Sequence, residues 1–557
     1  MTRISVDPSL LDPSKRGRLR LLIERGSLIS CWLIPLLALV LSLRHVRFGW
    51  DDGAITAAFA RTFAHTGRIA LTPSSEQVEG FSSLLWMMIL AAAYKVVHSV
   101  WAMLAWTKIA SAIAFSLALF SFRRLAVRFV DAPYVPFAVL LLAFTITPFT
   151  EVINGMEMNL YMFLTLYLTE LLLDEGTSGL KGTLACLVSI TVLTTRFESP
   201  FLLLILYAGA LWVTRQRMLI GLMVLGDALF LVGMEVWRGR MFGDFVPNTI
   251  RAKRWAPYAV SGLHRNLWSR VDATQEIVTV LCVPLFFLAA FWIATKIFPV
   301  PGKRYEEHPS CSAILWFMSA GAILLGLGMG QNWGHPGRMV LAFLPFIILL
   351  VVFFYQSLEK THSLLRERMM VVVVLIQLGV WASSAYGVIQ EQRTSYARVE
   401  RTGIAAEKVR EALGLRNLSV FIPDVGGSSL CCEDLDVMDS ALLANHFLAK
   451  KGYAGTKEFV QVNRPDLIEV HEPWSSAGSF YEENDLDGYN LVGVNGMFAF
   501  LRSDLYQRLL RNGYHEIRVK GNLELCGDAG SLDGKKSSDL IQLFRQPVCI
   551  HIVQSHN

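Results

Sequence analysis

Charge is scarce in this chain: Asp, Glu, Lys and Arg make up 17% of its residues, against roughly a quarter in a soluble protein. That shortage excludes a string of soluble domains, which would need charged surfaces around several cores. No Walker-type loop is present, which argues against a nucleotide-driven pump, and no nucleotide cofactor is expected. "GLGMG" lies inside an apolar run with no strand before it, so it reads as helix packing. The absence of HExxH and CxxC patterns argues against zinc, and His335 in "NWGHPGR" and His471 in "VHEPW" stand isolated. Repeats and low-complexity tracts are also missing. The formal charge of +5 is small, and no nucleic-acid partner is expected. Cysteines number eight. Cys31, Cys186, Cys282 and Cys311 fall in or beside apolar runs and read as packing residues, whereas Cys431, Cys432, Cys526 and Cys549 lie towards the C-terminus. There a bridge such as Cys526 to Cys549 is one candidate.

What the chain has in quantity is apolar residues, 53% of 557, gathered in blocks such as "LISCWLIPLLALVLSL", "IVTVLCVPLFFLAAFWIA", "VLAFLPFIILLVVFFY" and "MMVVVVLIQLGVWA". A helix of about 20 residues spans the ~30 Å of a bilayer's hydrocarbon. The composition therefore predicts a polytopic α-helical membrane protein. Six basic side chains (Arg3, Lys15, Arg16, Arg18, Arg20 and Arg25) precede the first block, and no small-residue cleavage pattern follows it. A retained signal-anchor with residues 1–27 in the cytoplasm is expected.

Crossings are expected near 28–46, 101–122, 134–149, 156–173, 181–194, 199–214, 218–236, 275–297, 311–329, 338–356 and 369–386, eleven in all. The apolar stretch 82–97 is assigned to an interfacial or re-entrant helix on the outer face. Only then do the basic clusters "FRRLAVR", "TRQRM", "ATKIFPVPGKR" and "EKTHSLLRER" all fall inside, as the positive-inside tendency demands. The expected organisation is a transmembrane region over 28–386, with a long outer loop at 47–100, then an outer α/β domain over 387–557. That last assignment rests on short β-rich runs, "SVFIPDVGG", "LDVMDS", "LIEVHE" and "NLVGVNGMFAFLRS", alternating with amphipathic stretches such as "RTGIAAEKVREALG".

The unusual polar residues gather at the outer ends of these segments. Asp51 and Asp52 follow the first crossing directly. Asp51 could cap the helix that starts there. Two adjacent carboxylates also raise one pKa of the pair, which suits a general base, and their oxygens suit a divalent cation such as Mg²⁺ or Ca²⁺. "EVINGMEMNLY" brings Glu151, Asn154, Glu157 and Asn159 to a helix mouth, and "TTRFESP" sets Arg196 and Glu198 between two crossings with scarcely any loop. Ionisable residues at that depth read either as substrate contacts or as an ion pair locking helix ends. "EGFSSLLW" adds Glu79, as a site carboxylate or a solvated one. The outer segment "WRGRMFGDFVPNTIRAKRWAPY" holds Arg238, Arg240, Arg251, Lys253 and Arg254. It reads as a loop meeting anionic head groups, or as a clamp for a phosphate at the membrane surface. A transporter or lipid flippase with an outer sensing domain is the rival class, but it would place its charges near mid-bilayer.

Taken in order, "DDGAITAAFARTFAHTGRIALTPSSEQVEGFSSLLW", "NGMEMNLY", "TRFES", "GDFVPNTIRAK" and "GRMVLAFLPF" resemble five successive segments of GT-C-type glycosyltransferases related to mycobacterial terminal arabinofuranosyltransferases. The resemblance covers residues 50 to 350 and departs from the family pattern at Gly53, Ala58, Asn154 and Phe197. It implies a polyprenyl-phosphate sugar donor, arabinofuranose or a related pentose, and transfer to a glycan or lipid-glycan acceptor of the cell envelope. It also implies a bacterial plasma membrane location with the active site and C-terminal domain in the periplasm. By motif matching, Asp51 and Asp52 would be catalytic. Glu79, Asn154, Glu157, Arg196, Glu198, Asn248 and Lys253 would line donor or acceptor sites, with Arg251, Lys253 and Arg254 at the leaving phosphate.

Overall fold

The apolar blocks form helices over most of their described length, residues 338–343 being turns before a helix that starts at Leu344. The structure is a computed structural model describing residues 13–44, 49–174, 179–255, 309–329, 338–357, 363–390, 396–471, 474–477, 486–494, 497–512, 515–517 and 548–551, with single helical positions between 283 and 293. In chain order the helices of the membrane-protein portion are α1 (Pro13–Arg44), α2 (Asp51–Thr66), α3 (Leu84–Val97), α4 (Val100–Phe129), α5 (Val135–Ala143), α6 (Ile146–Asn154) and α7 (Met158–Leu173). There follow α8 (Gly179–Thr195), α9 (Ser199–Val213), α10 (Arg217–Phe242), α11 (Asn248–Ala252), α12 (Pro309–Met329), α13 (Leu344–Ser357) and α14 (Ser363–Gln390). Among the described residues, four helices are long and apolar enough to cross a membrane: Leu21–Arg44 in α1, α4, α10 and Arg368–Gln390 in α14. The pair α5 and α6, bent by 44°, makes a fifth as one broken span, and six shorter apolar helices accompany them. The chain is a multi-pass membrane protein. The segment expected at 275–297 lies almost entirely outside the described residues.

The bend has a covalent cause. Pro148 has no N–H to give the carbonyl of Phe144, and its ring would strike that carbonyl in a continuous helix. The expected single crossing at 134–149 is therefore two short helices. The stretch expected at the interface, 82–97, is the short helix α3, whose first turn is capped by the Ser83 hydroxyl accepting from the Trp86 N–H at 3.2 Å.

Contacts divide the chain into two compact units. The first comprises Met1–Arg44, Lys108–Ala228 and Leu267–Glu391. In it α1 lies against α5 and α6, and α9 lies against α12. Gly209 lets the backbone of Ile314 come so close that a Cβ would sit 3.0 Å from its Cα, and Gly321 likewise admits Ile205.

The second unit comprises His45–Thr107, Leu229–Asn266 and Gln392–Asn557. Its centre is a seven-stranded mixed sheet built from β1 (Leu418–Ile422), β2 (Leu435–Asp439), β3 (Leu467–Glu469), β4 (Tyr489–Val494), β5 (Met497–Arg502), β6 (His515–Ile517) and β7 (Val548–His551). The spatial order is β2-β1-β3-β5-β4-β7-β6. β1 runs parallel to both β2 and β3, and β4 with β5 forms an antiparallel hairpin. The C-terminal helices are α15 (Tyr396–Leu413), α16 (Gly426–Cys431), α17 (His446–Lys451), α18 (Thr456–Asn463), α19 (Trp474–Ala477) and α20 (Ser503–Arg511). Phe421, Leu442, Phe459, Ile468 and Trp474 form much of the sheet's core, to which α11 contributes Ala252.

The edge strand β2 would otherwise offer unpaired backbone groups. The loop after α2 closes it: the Thr72 hydroxyl donates to the Leu435 carbonyl at 2.6 Å, and the Val437 N–H donates to the Ser75 hydroxyl at 3.0 Å. The loop at 47–100 and the C-terminal region are thus parts of one folded body.

Candidate functional site

In the second unit, the turn after β1 reads Pro423-Asp424-Val425-Gly426-Gly427 and leads into α16. Asp51, the first residue of α2, sits against it. The Gly426 N–H donates to Asp51 Oδ2 at 2.8 Å and the Gly427 N–H to Oδ1 at 2.7 Å. Glycine is required by this close approach: a Cβ on residue 426 would lie 2.4 Å from the Asp51 carbonyl oxygen, and one on 427 would lie 2.7 Å from the Glu400 nitrogen. Asp51 does not cap its own helix. The cap position is Trp50, and no side chain caps α2 there.

The same two helices are tied at their other ends. Arg61 of α2, 1% exposed, donates from Nη1 to the Leu430 carbonyl at 2.7 Å and from Nη2 to the Ser429 carbonyl at 3.0 Å. These are the last carbonyls of α16, where a helix leaves acceptors unpaired. Its Nε lies 3.3 Å from Glu433 Oε1. A disulfide joins Cys431 to Cys432 at the end of α16, whereas Cys526 lies outside the described residues.

Around Asp51 the charges are crowded. Burial and the neighbouring Asp424 carboxylate push its carboxyl well above the usual range. The Gly427 and Gly426 N–H groups, which favour the ionised form, oppose this, and Asp52 adds to the upward push. Asp424 is also raised by burial, against the pull of His471. His471 corrects an expectation: it is not isolated. Its Nε2 lies 3.7 Å from Asp424 Oδ2 and its Nδ1 lies 3.7 Å from Glu469 Oε1. Burial would lower its pKa, but the two carboxylates win and raise it. Asp52 is half-buried.

The remaining candidates of this unit are engaged locally. Glu79 accepts from Arg238 through both oxygens, at 2.8 and 3.2 Å. Arg251 bonds Asp244 at 2.5 Å, and Lys450 approaches the other Asp244 oxygen at 3.6 Å. Asn248 turns its amide to the carbonyls of Leu442, Leu443 and Asn445, clipping that loop in place. Lys253 is half-buried and Arg254 exposed.

The first unit holds the other candidates. Arg196 Nη1 bonds Glu157 Oε1 at 2.6 Å and its Nε bonds Glu198 Oε1 at 2.8 Å, all three side chains being no more than 2% exposed. Nη2 meets the Met339 sulfur at 3.3 Å. One guanidinium thus serves two carboxylates in an apolar setting, an arrangement that favours a further donor. Glu198 Oε2 has no hydrogen bond among the described residues. Asn154, 7% exposed, ends α6 close by in sequence, and Glu151, fully buried, has Arg338 Nε at 3.8 Å.

A metal was one expectation at Asp51 and Asp52. Both Asp51 oxygens already accept a backbone N–H, and among the described residues no group of three or more His, Cys, Asp or Glu is placed to hold an ion. The donor set fits a divalent cation poorly.

No protein-family description and no curated protein matches the sequence. Solved structures do share its architecture. ArnT from Cupriavidus metallidurans in the apo state superposes with a TM-score of 0.52 over 88% of this chain and 99% of its own, at 11% identity. The chain has the fold of the GT-C-type glycosyltransferases. The Archaeoglobus fulgidus oligosaccharyltransferase, tethered through a disulfide to an acceptor peptide with the NVT sequon, also has the GT-C architecture. It aligns over 85% of this chain and 74% of its own, with a TM-score of 0.51 and 13% identity.

Proposed function

We propose that this protein is a membrane glycosyltransferase that moves a sugar from a polyprenyl-phosphate donor to a glycan or lipid-glycan acceptor. The observation that carries the reading is a pair of adjacent carboxylates at the start of α2 in a chain with the GT-C fold. Asp51 is committed through both oxygens to the Gly426 and Gly427 amides, while Asp52, the next residue, remains half-buried. Asp52 is the base: it takes the proton of the acceptor hydroxyl as that oxygen bonds to the sugar C1 and the bond from C1 to the lipid phosphate breaks. Asp51 holds the start of α2 so that Asp52 meets the acceptor in one orientation. Lys253 and Arg254 offset the charge that develops on the departing phosphate. The motif resemblance favours arabinofuranose or a related pentose as the sugar. It also favours the outer face of a bacterial plasma membrane as the place, with the N-terminus in the cytoplasm and the C-terminal α/β region in the periplasm.

The test is transfer from a synthetic polyprenyl-phosphate pentose by the purified, lipid-reconstituted protein. Replacing the base, Asp52→Asn, is expected to lower kcat by about 100-fold or more with little change in KM for the donor. Unchanged turnover by this variant would remove Asp52 from the chemistry.

A further inference from the structure

The turn that grips Asp51 also carries Asp424, and Asp424 leads on to His471 and Glu469. All these residues belong to one compact unit. We propose that Asp424 and His471, from the C-terminal sheet, complete the aspartate cluster of the first outer loop, His471 acting through Asp424 as a positioning residue for the proton-accepting carboxylate. This inference rests on the glycosyltransferase reading and names two residues that the motif resemblance does not reach.

The geometry is specific. β1 ends at Ile422 and β3 ends at Glu469, neighbouring parallel strands whose ends deliver Asp424 and His471 to the same side. His471 stands between Asp424 and Glu469 at 3.7 Å from each. The Ser475 hydroxyl accepts from the His471 N–H at 2.9 Å, which fixes the backbone. The Thr402 hydroxyl of α15 donates to Glu469 Oε1 at 3.4 Å, while Glu469 Oε2, in a residue 8% exposed, has no hydrogen bond among the described residues.

Charge balance supplies the reason for the arrangement. Asp51, Asp52, Asp424 and Glu469, with the buried Asp439 facing Asp424 from the end of β2, bring five carboxylates together, and the cations facing them are His471 and, from α15, Arg398. Without the imidazolium, Asp424 would repel Asp51 with only Arg398 to offset it, and the cluster would hold a proton over a wider pH range. His471 therefore keeps the cluster able to accept a proton. No covalent step passes through it.

The signs of the expected effects are opposite for the two residues. His471→Gln removes the cation, so the acidic limb of the kcat–pH profile moves to higher pH. The ratio of kcat at pH 5.5 to that at pH 7.5 should fall about threefold. Asp424→Asn removes a like charge and moves the limb the other way, raising that ratio by about threefold. His471→Lys keeps a cation and restores the unaltered profile. A uniform loss at every pH, or no shift in either variant, would overturn the proposal.

A second measurement does not depend on turnover. Carbethoxylation of His471, followed by peptide mass spectrometry across pH, reads its protonation midpoint in the full-length protein. Asp424→Asn should lower that midpoint, because a carboxylate that stabilises the imidazolium is gone; an unmoved midpoint would break the cluster. If the unaltered protein transfers sugar from no polyprenyl-phosphate donor, the glycosyltransferase reading fails, and the His471 curve then decides the cluster alone.

Discussion

The side chain at position 426 has to be a single hydrogen. A methyl group there would meet both the backbone and the carboxylate of Asp51, at 2.4 and 2.6 Å, and neither can withdraw without breaking the hydrogen bonds that fix them. Gly426→Ala is expected to cost about 2–3 kcal/mol, seen as a lower thermal midpoint, and to reduce transfer by displacing α2. Gly221→Ala, at an α10 position where a Cβ would meet nothing within 4 Å, is the matched control and should lower neither. In the sequence, "SVFIPDVGG" is legible as a strand running into a turn, and nothing local says that the turn will hold an aspartate 375 residues away. Two consecutive glycines after an aspartate are compatible with any tight turn, so the tertiary partner alone gives them meaning. His471 was hidden for the same reason, since Asp424 and Glu469 reach it through strand order rather than through spacing.

Elements were easier to read than their partners. The runs "SVFIPDVGG", "LDVMDS", "LIEVHE" and "NLVGVNGMFAFLRS" hold β1, β2, β3 and the β4–β5 hairpin, because alternating and β-branched residues report a half-buried pleat directly. "RTGIAAEKVREALG" lies in α15 up to Leu413, with Gly403, Ala406 and Val409 on its buried side. What pattern could not reveal is that α2, next to a membrane segment in sequence, belongs with α16 of the sheet. The pairing rests on Asp51 at one end and Arg61 at the other, both unusual as buried ionisable groups. Arg61→Ala would leave the Ser429 and Leu430 carbonyls without their donor, at a cost of about 3 kcal/mol for two buried hydrogen bonds to a charged group. Hydrogen exchange by mass spectrometry should show the loss first in peptides spanning 426–433, with β4 and β5 unaffected. Equal protection of those peptides in both proteins would mean that Arg61 does not hold α16.

At the scale of the molecule, the fold is that of the GT-C glycosyltransferases, and the candidate residues distribute over two units: Asn154, Glu157, Arg196 and Glu198 in one, Asp51, Asp52, Glu79, Asn248, Arg251, Lys253 and Arg254 in the other. Composition announces helices in a bilayer, because apolar length is a local property. Which unit a helix mouth belongs to depends on contacts that chain order does not encode. Sidedness is the property on which both units depend, and charge counting alone supplied it. Arg215 and Arg217 adjoin the start of α10, where Met218 is 81% exposed, and the positive-inside tendency assigns that end to the cytoplasm. Val462, on α18 of the sheet-bearing unit, is 76% exposed and should face the periplasm. Single cysteines at the two positions give opposite expectations. In intact cells a membrane-impermeant maleimide should label Val462→Cys and spare Met218→Cys, which should react only after permeabilisation, with the labelled peptide identified by mass spectrometry. The reverse pattern would move the aspartate cluster to the cytoplasmic face. A donor presented in the outer leaflet could then not reach Asp52, and the proposed chemistry would have to be given up together with the topology.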